Sequence, residues 1–216
     1  MPQVIPAILA RTEEEFIAKI EKIRPLGVMV QIDVMDGRFV PNTTWADPEK
    51  IPGLLKGIPF EAHLMVDNPE HMAIVWLAAG AARVFFHIEA TEREELILRS
   101  ADKESGKVGI AINPDTPLSR ITPMLDKIKN VLIMGVNPGA SGQTMLPITL
   151  DKIEALKVIR PALNISIDGG VNLETAPKLI RAGADCLVAA NALTNSPDPA
   201  AALAELKRIV QENQKL

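Results

Sequence analysis

Residues 4–34, VIPAILARTEEEFIAKIEKIRPLGVMVQIDV, contain the unit whose repetition decides the fold. An apolar run over Val4–Leu9 leads into an amphipathic stretch over Glu13–Ile23, and a second apolar run follows over Val28–Val34. Thr12 precedes three glutamates, which is the arrangement of a helix N-cap. Short and nearly continuous apolar runs are typical of parallel strands that are buried on both faces. This stretch therefore predicts a strand–helix–strand unit.

The same unit recurs along the whole chain. Eight repeats in 216 residues leave about 27 residues for each, which predicts a single-domain α/β protein, a (β/α)8 TIM barrel over residues 1–216. A doubly wound open sheet is the alternative, but no GxGxxG follows the first strand. The predicted strands are Val4–Leu9, Val28–Val34, Phe60–Met65, Arg83–Ile88, Val108–Ile112, Val131–Met134, Asn164–Ile167 and Asp185–Ala189. The predicted helices are Glu13–Ile23, Asp47–Leu55, Pro69–Ala79, Glu92–Ala101, Leu118–Asp126, Thr149–Ile159, Leu173–Ala182 and Pro199–Asn213.

The composition argues against several classes of protein. Hydrophobic residues make up 47% of the chain and charged residues 23%, a balance that is inconsistent with intrinsic disorder. The net charge of −4 argues against a nucleic acid as the partner, because phosphate backbones are bound by clustered Lys and Arg. No apolar run reaches the roughly 18 residues of a membrane span, and the first residues lack a basic segment and a cleavage site. The single cysteine, Cys186, cannot form an internal disulfide, so we expect a cytoplasmic protein.

Ionisable side chains stand at the carboxyl ends of the predicted strands, where (β/α)8 barrels place their functional residues. Asp33 lies in the second strand, His63 in the third and Asp168 directly after the seventh. Each of them alone could cap a neighbouring loop. Three such groups in one barrel mouth would be costly to bury unless they bind a cation or transfer protons. We therefore expect these three side chains to form a site.

Small residues follow the last three predicted strands. Backbone N–H groups in the last loops of such barrels commonly bind phosphate, although ordinary turn glycines would produce the same pattern. The residues concerned are Gly139, Ala140, Ser141, Gly142, Gly169, Gly170, Ala190 and Asn191. Three methionines at strand ends, Met35, Met65 and Met134, are either flexible core filler or an apolar roof over reacting atoms.

Taken in order, these motifs resemble those of the ribulose-phosphate 3-epimerase family, a group of (β/α)8 barrels. The motifs that carry the resemblance are IDVMDG at 32–37, FVPN at 39–42, HLM at 63–65, HIEA at 87–90, NP at 113–114, TP at 116–117, VNPG at 136–139, GQ at 142–143 and DGGV at 168–171. They keep the order and spacing of the family over nearly the whole chain.

The resemblance implies an activity and a set of residues. The activity is inversion at C3 of a ketose 5-phosphate, which interconverts D-ribulose 5-phosphate and D-xylulose 5-phosphate in the pentose phosphate pathway. Asp33 and Asp168 would be the two catalytic carboxylates, one removing the C3 proton and the other reprotonating a planar enediolate. A divalent metal, zinc in the family, would be held by Asp33, His63 and Asp168. His87 and Glu89 would support the site without ligating the metal. Family members form dimers or hexamers, so we expect a homo-oligomer.

The sequence departs from the family pattern in the same pocket. Gln31 stands where the family has a metal-ligating histidine, which makes Gln31 a doubtful ligand. Because an amide oxygen suits hard cations better than zinc, we expect weak zinc binding, another ion such as Mn²⁺, Fe²⁺, Co²⁺ or Mg²⁺, or no metal. Ala7 replaces a substrate-contacting serine, Ala140-Ser141 replaces Phe-Gly, and Ala190-Asn191 replaces Gly-Ser. The expected substrate- and phosphate-binding residues are Ala7, Met35, Met65, Gly139, Ala140, Ser141, Gly142, Gly169, Gly170, Ala190 and Asn191.

Three other functions remain open at this point. A 3-epimerase of a hexulose 6-phosphate, of the allulose type, would suit a pocket from which Ala7 and Ala140 remove bulk. A sugar-phosphate decarboxylase or lyase on a related barrel would carry Asp-x-Lys-x-x-Asp, and the second strand lacks that lysine. A sugar-phosphate-binding homologue without catalysis would not require two inward carboxylates beside an anionic ligand.

Overall fold

Eight parallel strands form a closed barrel in sequence order, and the last strand is hydrogen-bonded back to the first. The computed structural model describes residues 2–100, 106–139 and 142–214. The predicted fold class, an α/β protein with a (β/α)8 barrel, is confirmed. Closure matters for the site because the carboxyl ends of all eight strands then surround one mouth.

The strands agree with the predicted runs to within two residues at each end. They are β1 (Gln3–Ile8), β2 (Val30–Met35), β3 (Phe60–Met65), β4 (Arg83–His87), β5 (Val108–Ile112), β6 (Asn130–Met134), β7 (Asn164–Asp168) and β8 (Cys186–Ala189). The described part of the chain contains seven α-helices, which are α1 (Glu13–Ile23), α2 (Ile51–Leu55), α3 (Glu70–Ala78), α4 (Glu94–Ser100), α5 (Ile148–Ile159), α6 (Ala176–Ala182) and α7 (Pro199–Asn213). The hydroxyl of Thr12 accepts from the N–H of Glu15 and caps α1, as predicted.

The predicted helix over Leu118–Asp126 is wrong. Two 3-10 turns, Leu118–Arg120 and Thr122–Met124, occupy this connection between β5 and β6. The physical reason is Pro123, which has no N–H to donate and whose ring would clash with a carbonyl one turn earlier in a continuous α-helix. The hydroxyl of Thr122 instead donates to the carbonyl of Leu118 at 2.8 Å.

Helices α2 and α6 begin three to four residues later than predicted because a side chain closes a turn ahead of each. The carboxylate of Asp47 accepts from the N–H of Glu49 at 2.9 Å, and α2 begins four residues after Asp47, at Ile51. The side-chain oxygen of Asn172 accepts from the N–H of Glu174 at 2.8 Å, ahead of α6. Such local bonds compete with helical hydrogen bonds. The last residue of the predicted fourth helix, 101, lies outside the described residues.

Alternate strand residues face opposite sides of the barrel wall. One set, which includes Ile32, Leu64 and Ile167, belongs to the core that is shared with the helices. The other set forms a separate inner cluster, which includes Phe85 and Leu132. Residues 31, 33, 63 and 168 have the parity of the inner set, so their side chains face the barrel interior.

Candidate active site

Asp33, His63 and Asp168 meet at the carboxyl ends of β2, β3 and β7. Asp33 is paired in register with His63 on the neighbouring strand. His63 Nδ1 lies 3.3 Å from Asp33 Oδ1 and 3.2 Å from Asp168 Oδ2. All three residues are buried, and the most exposed of them, Asp168, is only 9% accessible. The structure thus brings two carboxyl groups and one imidazole together, largely out of contact with water.

Gln31 lies two residues before Asp33 and on the same face of β2. Its Nε2 donates to Asp33 Oδ1 at 2.9 Å and to Asp168 Oδ2 at 2.7 Å. Its Oε1 is buried and has no hydrogen-bond partner among the described residues. The side chain expected to be a doubtful ligand therefore presents its nitrogen to the two carboxylates.

The pKa values of the cluster reflect burial and mutual attraction. Burial disfavours the charged form of His63, but the hydrogen bonds to Asp168 and Asp33 outweigh it and raise the pKa of His63 to about 9. Burial raises the pKa of Asp33; the hydrogen bond from His63 opposes this shift, and the charge of Asp168 adds to it. At neutral pH the imidazole is therefore a cation that faces both carboxyl groups.

The imidazole of His87 contacts the ring nitrogen of His63 that does not face the carboxylates. His63 Nε2 lies 2.9 Å from His87 Nε2, and His87 Nδ1 lies 3.1 Å from Glu89 Oε2. Glu89 also accepts from the N–H of Asn113 at 2.8 Å and from the hydroxyl of Thr116. Because an ionised carboxylate only accepts, His87 Nδ1 carries the proton and His87 Nε2 accepts from His63; these tautomers are assigned from the hydrogen bonds. Nδ1 of His63 is thereby directed at the carboxylates.

The donor set fits a divalent metal ion. One oxygen of Asp33, one oxygen of Asp168 and one nitrogen of His63 lie within 4.8 Å of one another. Carboxylate oxygen and imidazole nitrogen are ligands of zinc and of other first-row divalent ions. Gln31 does not complete the set in its present orientation, because its N–H groups face the space between the carboxylates.

A cavity of about 40 Å³ lies over the two carboxyl groups. Met35, Met65 and Met134 all line it, and each also packs in a buried hydrophobic cluster. Sequence reasoning missed Leu9, Val136 and Pro138, which also line it. The signal available for them was position alone: Leu9 directly follows β1, and the other two lie in the VNPG motif after β6. The complete lining is Leu9, Asp33, Met35, Met65, Met134, Val136, Pro138, Gly139, Asp168 and Ala190.

A second cavity, of about 250 Å³, lies beside the first, and Ala190 lines both. Gly142, Gly170 and Asn191 of the expected phosphate site line this larger cavity. Its lining also includes Asn172, which was not predicted. Two expected site residues, numbers 140 and 141, lie outside the described residues.

Ala7 and Gly169 line neither cavity. Ala7 is buried in the inner cluster, and its carbonyl accepts from the hydroxyl of Thr194 at 2.7 Å. Gly169 has φ of 102°, and its carbonyl oxygen lies so close to Gly135 that a Cβ at position 135 would be 2.2 Å away. Both residues therefore contribute to the packing of the barrel and not to the walls of these cavities.

The fold and this cluster define a (β/α)8 barrel with a buried pair of carboxyl groups at the catalytic end of the barrel. The model of the Ribulose-phosphate 3 epimerase family matches residues 3–194. The ribulose-phosphate 3-epimerase of Mycobacterium bovis is 40% identical over 185 residues, which cover 83% of this chain and 80% of that protein. The Bacillus subtilis enzyme of the same name is 34% identical over 215 residues, covering 96% and 99%. The chain belongs to the ribulose-phosphate 3-epimerase family, an isomerase family, as its motifs predicted.

Two solved structures with the same barrel are named for other enzymes. The 3-keto-L-gulonate-6-phosphate decarboxylase of Vibrio cholerae has a TM-score of 0.76 at 15% identity, with 98% of each chain covered. The 3-hexulose-6-phosphate synthase of Salmonella typhimurium has a TM-score of 0.75 at 14% identity, covering 99% of this chain and all of that one. At such identities the likeness shows the fold alone. Within the described residues, no helix has the length and apolar character needed to cross a membrane.

Proposed function

We propose that this chain interconverts D-ribulose 5-phosphate and D-xylulose 5-phosphate by inverting C3. The observation that carries the proposal is the pair Asp33 and Asp168, which share the donors Gln31 and His63 beneath a small cavity. Inversion requires two acid–base groups, because the proton leaves one face of C3 and returns on the other. Two carboxyl groups from different strands of one mouth meet that requirement.

Asp33 and Asp168 take opposite roles in each direction of the reaction. One, as carboxylate, removes the C3 proton; the other, as carboxylic acid, donates a proton to the opposite face of the enediolate. Burial raises the pKa of Asp33, which favours its acid form relative to an exposed aspartate.

Removal of the C3 proton needs positive charge near the ketone, because a C3 proton beside a ketone is only weakly acidic. His63, whose hydrogen bonds to Asp168 and Asp33 raise its pKa to about 9 against the effect of burial, brings a positive charge to the site. When bound by Asp33, His63 and Asp168, a divalent cation would polarise the ketone and neutralise the enediolate. The family metal is zinc; with Gln31 in place of histidine we propose weak zinc binding or a preference for Mn²⁺, Fe²⁺, Co²⁺ or Mg²⁺.

The larger cavity suits the phosphate of the substrate. Gly142 and Gly170 line it with positive φ, and we propose that their backbone N–H groups bind the phosphate. The Asn191 amide adds a polar side chain to the same wall, and its Oδ1 accepts from Asn195 Nδ2 at 2.7 Å. Because Ala190 lines both cavities, we propose that the ketose chain extends from one into the other.

Membership of the ribulose-phosphate 3-epimerase family supports a pentulose over a hexulose. Ala7, whose small side chain was expected to enlarge the pocket, lies in the inner cluster and lines neither cavity. We further propose a single catalytic domain over residues 1–216, from the uninterrupted repeat, and a cytoplasmic location, from the single cysteine. From the family resemblance we propose a homo-oligomer, either a dimer or a hexamer.

Replacing Glu89 by Gln is expected to lower kcat about 10- to 100-fold, with KM changed less than threefold. The amide can donate to His87, so the tautomer that directs His63 Nδ1 at the carboxylates is no longer enforced. Steady-state kinetics of Glu89→Gln measure the effect. Glu92→Gln, at an exposed neighbouring residue, is the control and is measured in the same way. Full activity in Glu89→Gln would remove Glu89 from the positioning of His63.

The substrate is tested by proton NMR of the purified protein with D-ribulose 5-phosphate, and separately with D-allulose 6-phosphate. We expect xylulose 5-phosphate to form, with kcat/KM at least 100-fold higher than for the hexulose. Assays with EDTA and with each added divalent ion show how far turnover depends on metal. Absence of turnover of the pentulose under every metal condition would reject the proposed function.

A further inference from the structure

Gln31 places its amide group between the two carboxylates, in the part of the site that a cation would share. We propose that Gln31 is a positioning residue and not a metal ligand: its amide nitrogen cross-links Asp33 and Asp168 in the metal-free protein, and a bound cation has to displace it. The inference rests on the proposed function only in taking these two carboxyl groups as the reactive pair.

Both hydrogens of the Gln31 amide have a carboxylate acceptor. Nε2 lies 2.9 Å from Asp33 Oδ1 and 2.7 Å from Asp168 Oδ2, which are distances of charge-assisted hydrogen bonds. The same nitrogen lies 3.5 Å from His63 Nδ1. It is therefore next to all three atoms that would coordinate a metal ion.

The opposite orientation of the amide would cost more than the present one. Oε1 is buried without a partner among the described residues, and a buried unpaired carbonyl is unfavourable. If the amide were turned over, this oxygen would face two carboxylate oxygens at the distances that Nε2 now occupies. Three acceptors so close together are stable only with a cation or a proton between them. The present orientation of the amide and a metal ion bound between the two carboxylates therefore exclude each other.

This arrangement gives Gln31 a definite effect on metal affinity. It supplies two donors and no charge, so it holds Asp33 and Asp168 in place without a metal ion. A cation that enters has to break both hydrogen bonds first. Removing the amide should therefore strengthen metal binding, whereas removal of a true ligand weakens it.

Zinc affinity, measured by competition with a chromophoric chelator and without substrate, distinguishes these two roles. Gln31→Leu has neither donor nor acceptor at a similar size, and we expect it to bind Zn²⁺ at least threefold more tightly than the parent protein. An affinity that is unchanged or weaker would overturn the proposal. Gln211→Leu, on the exposed face of α7, is the matched control and should leave the affinity unchanged.

Gln31→Glu keeps the shape of the side chain and exchanges the donor for a third carboxylate. In EDTA its thermal midpoint should fall by several degrees, because the donor is lost and like charges meet. With zinc its midpoint should rise more than that of the parent protein. A midpoint in EDTA equal to that of the parent would contradict the cross-link.

A measurement on the unmodified sequence covers the case in which these variants do not fold. In ¹⁵N–¹H spectra of the metal-free protein, the Gln31 side-chain amide, assigned by through-space contacts to His63, should exchange with solvent at least 100-fold more slowly than that of exposed Gln211. Adding Zn²⁺ should shift its signals and remove this protection. Fast exchange in the metal-free protein would overturn the inference.

None of these measurements requires substrate, so the two proposals fail separately. If the protein has no epimerase activity but shows the expected zinc affinities, the proposed function is rejected and the role of Gln31 stands. An active epimerase whose zinc affinity is unchanged in Gln31→Leu would reject this inference alone.

Discussion

Replacing Asp168 by Asn is expected to lower kcat for ribulose 5-phosphate by roughly 10²- to 10⁴-fold. The asparagine oxygen can still accept from Gln31 Nε2, which now donates to Asp168 Oδ2 at 2.7 Å, so the local packing is preserved. What is lost is the group that takes up and returns the proton on one face of C3. The measurement is a coupled assay of xylulose 5-phosphate formation.

Binding of a non-reactive phosphate ester should stay within a few-fold in Asp168→Asn, because the cavity expected to hold the phosphate is lined by other residues. Asp151→Asn, on the exposed face of α5, is the matched control and should retain full activity. Undiminished turnover in Asp168→Asn would remove Asp168 from the mechanism.

Replacing Arg83 by Met is expected to lower the free energy of unfolding by about 3–5 kcal/mol. Glu61 is fully buried inside the barrel, and Arg83 Nη2 lies 2.6 Å from its Oε2. Burial raises the pKa of Glu61, and the charge of Arg83 opposes that shift. Without the arginine, the carboxylate is left buried and uncompensated. Urea denaturation at pH 7 measures the loss.

The pH dependence identifies the cause of that loss. In Arg83→Met the folded-state pKa of Glu61 lies further above its unfolded value, so the folded state binds the additional proton. The deficit in stability should therefore be small below the unfolded pKa and grow as the pH rises. The double variant that also carries Glu61→Gln should regain most of the stability at pH 7. A loss below 1 kcal/mol in Arg83→Met, or one that does not change with pH, would contradict this account.

The strands were predictable from the sequence because buried parallel strands read as short, continuous apolar runs. The conformation of the connection before β6 was not predictable in this way. Its apolar residues have the spacing of an amphipathic helix, but Pro123 prevents a continuous helix. The late starts of α2 and α6 have a similar origin: Asp47 and Asn172 hold local turns that periodicity does not detect.

The candidate site was predictable as far as position in the strands determines it. Alternation places Asp33, His63 and Asp168 on the inner face of a closed barrel. The orientation of the Gln31 amide could not be predicted, because the same side chain offers a donor and an acceptor and the choice depends on its neighbours. Lining residues such as Pro138 depend on loop conformation, for which the sequence carries no periodic signal.

Proton exchange at C3 in D₂O tests the two-carboxylate account most directly. Parent protein, Asp33→Asn and Asp168→Asn are each incubated with ribulose 5-phosphate and with xylulose 5-phosphate, and deuterium at C3 is followed by NMR. The account predicts inversion with deuterium in both epimers for the parent protein. It also predicts that neither variant inverts C3. Each variant should exchange the C3 proton of one epimer only, and the two variants should exchange different epimers. Inversion by either variant, or exchange of the same epimer by both, would contradict it.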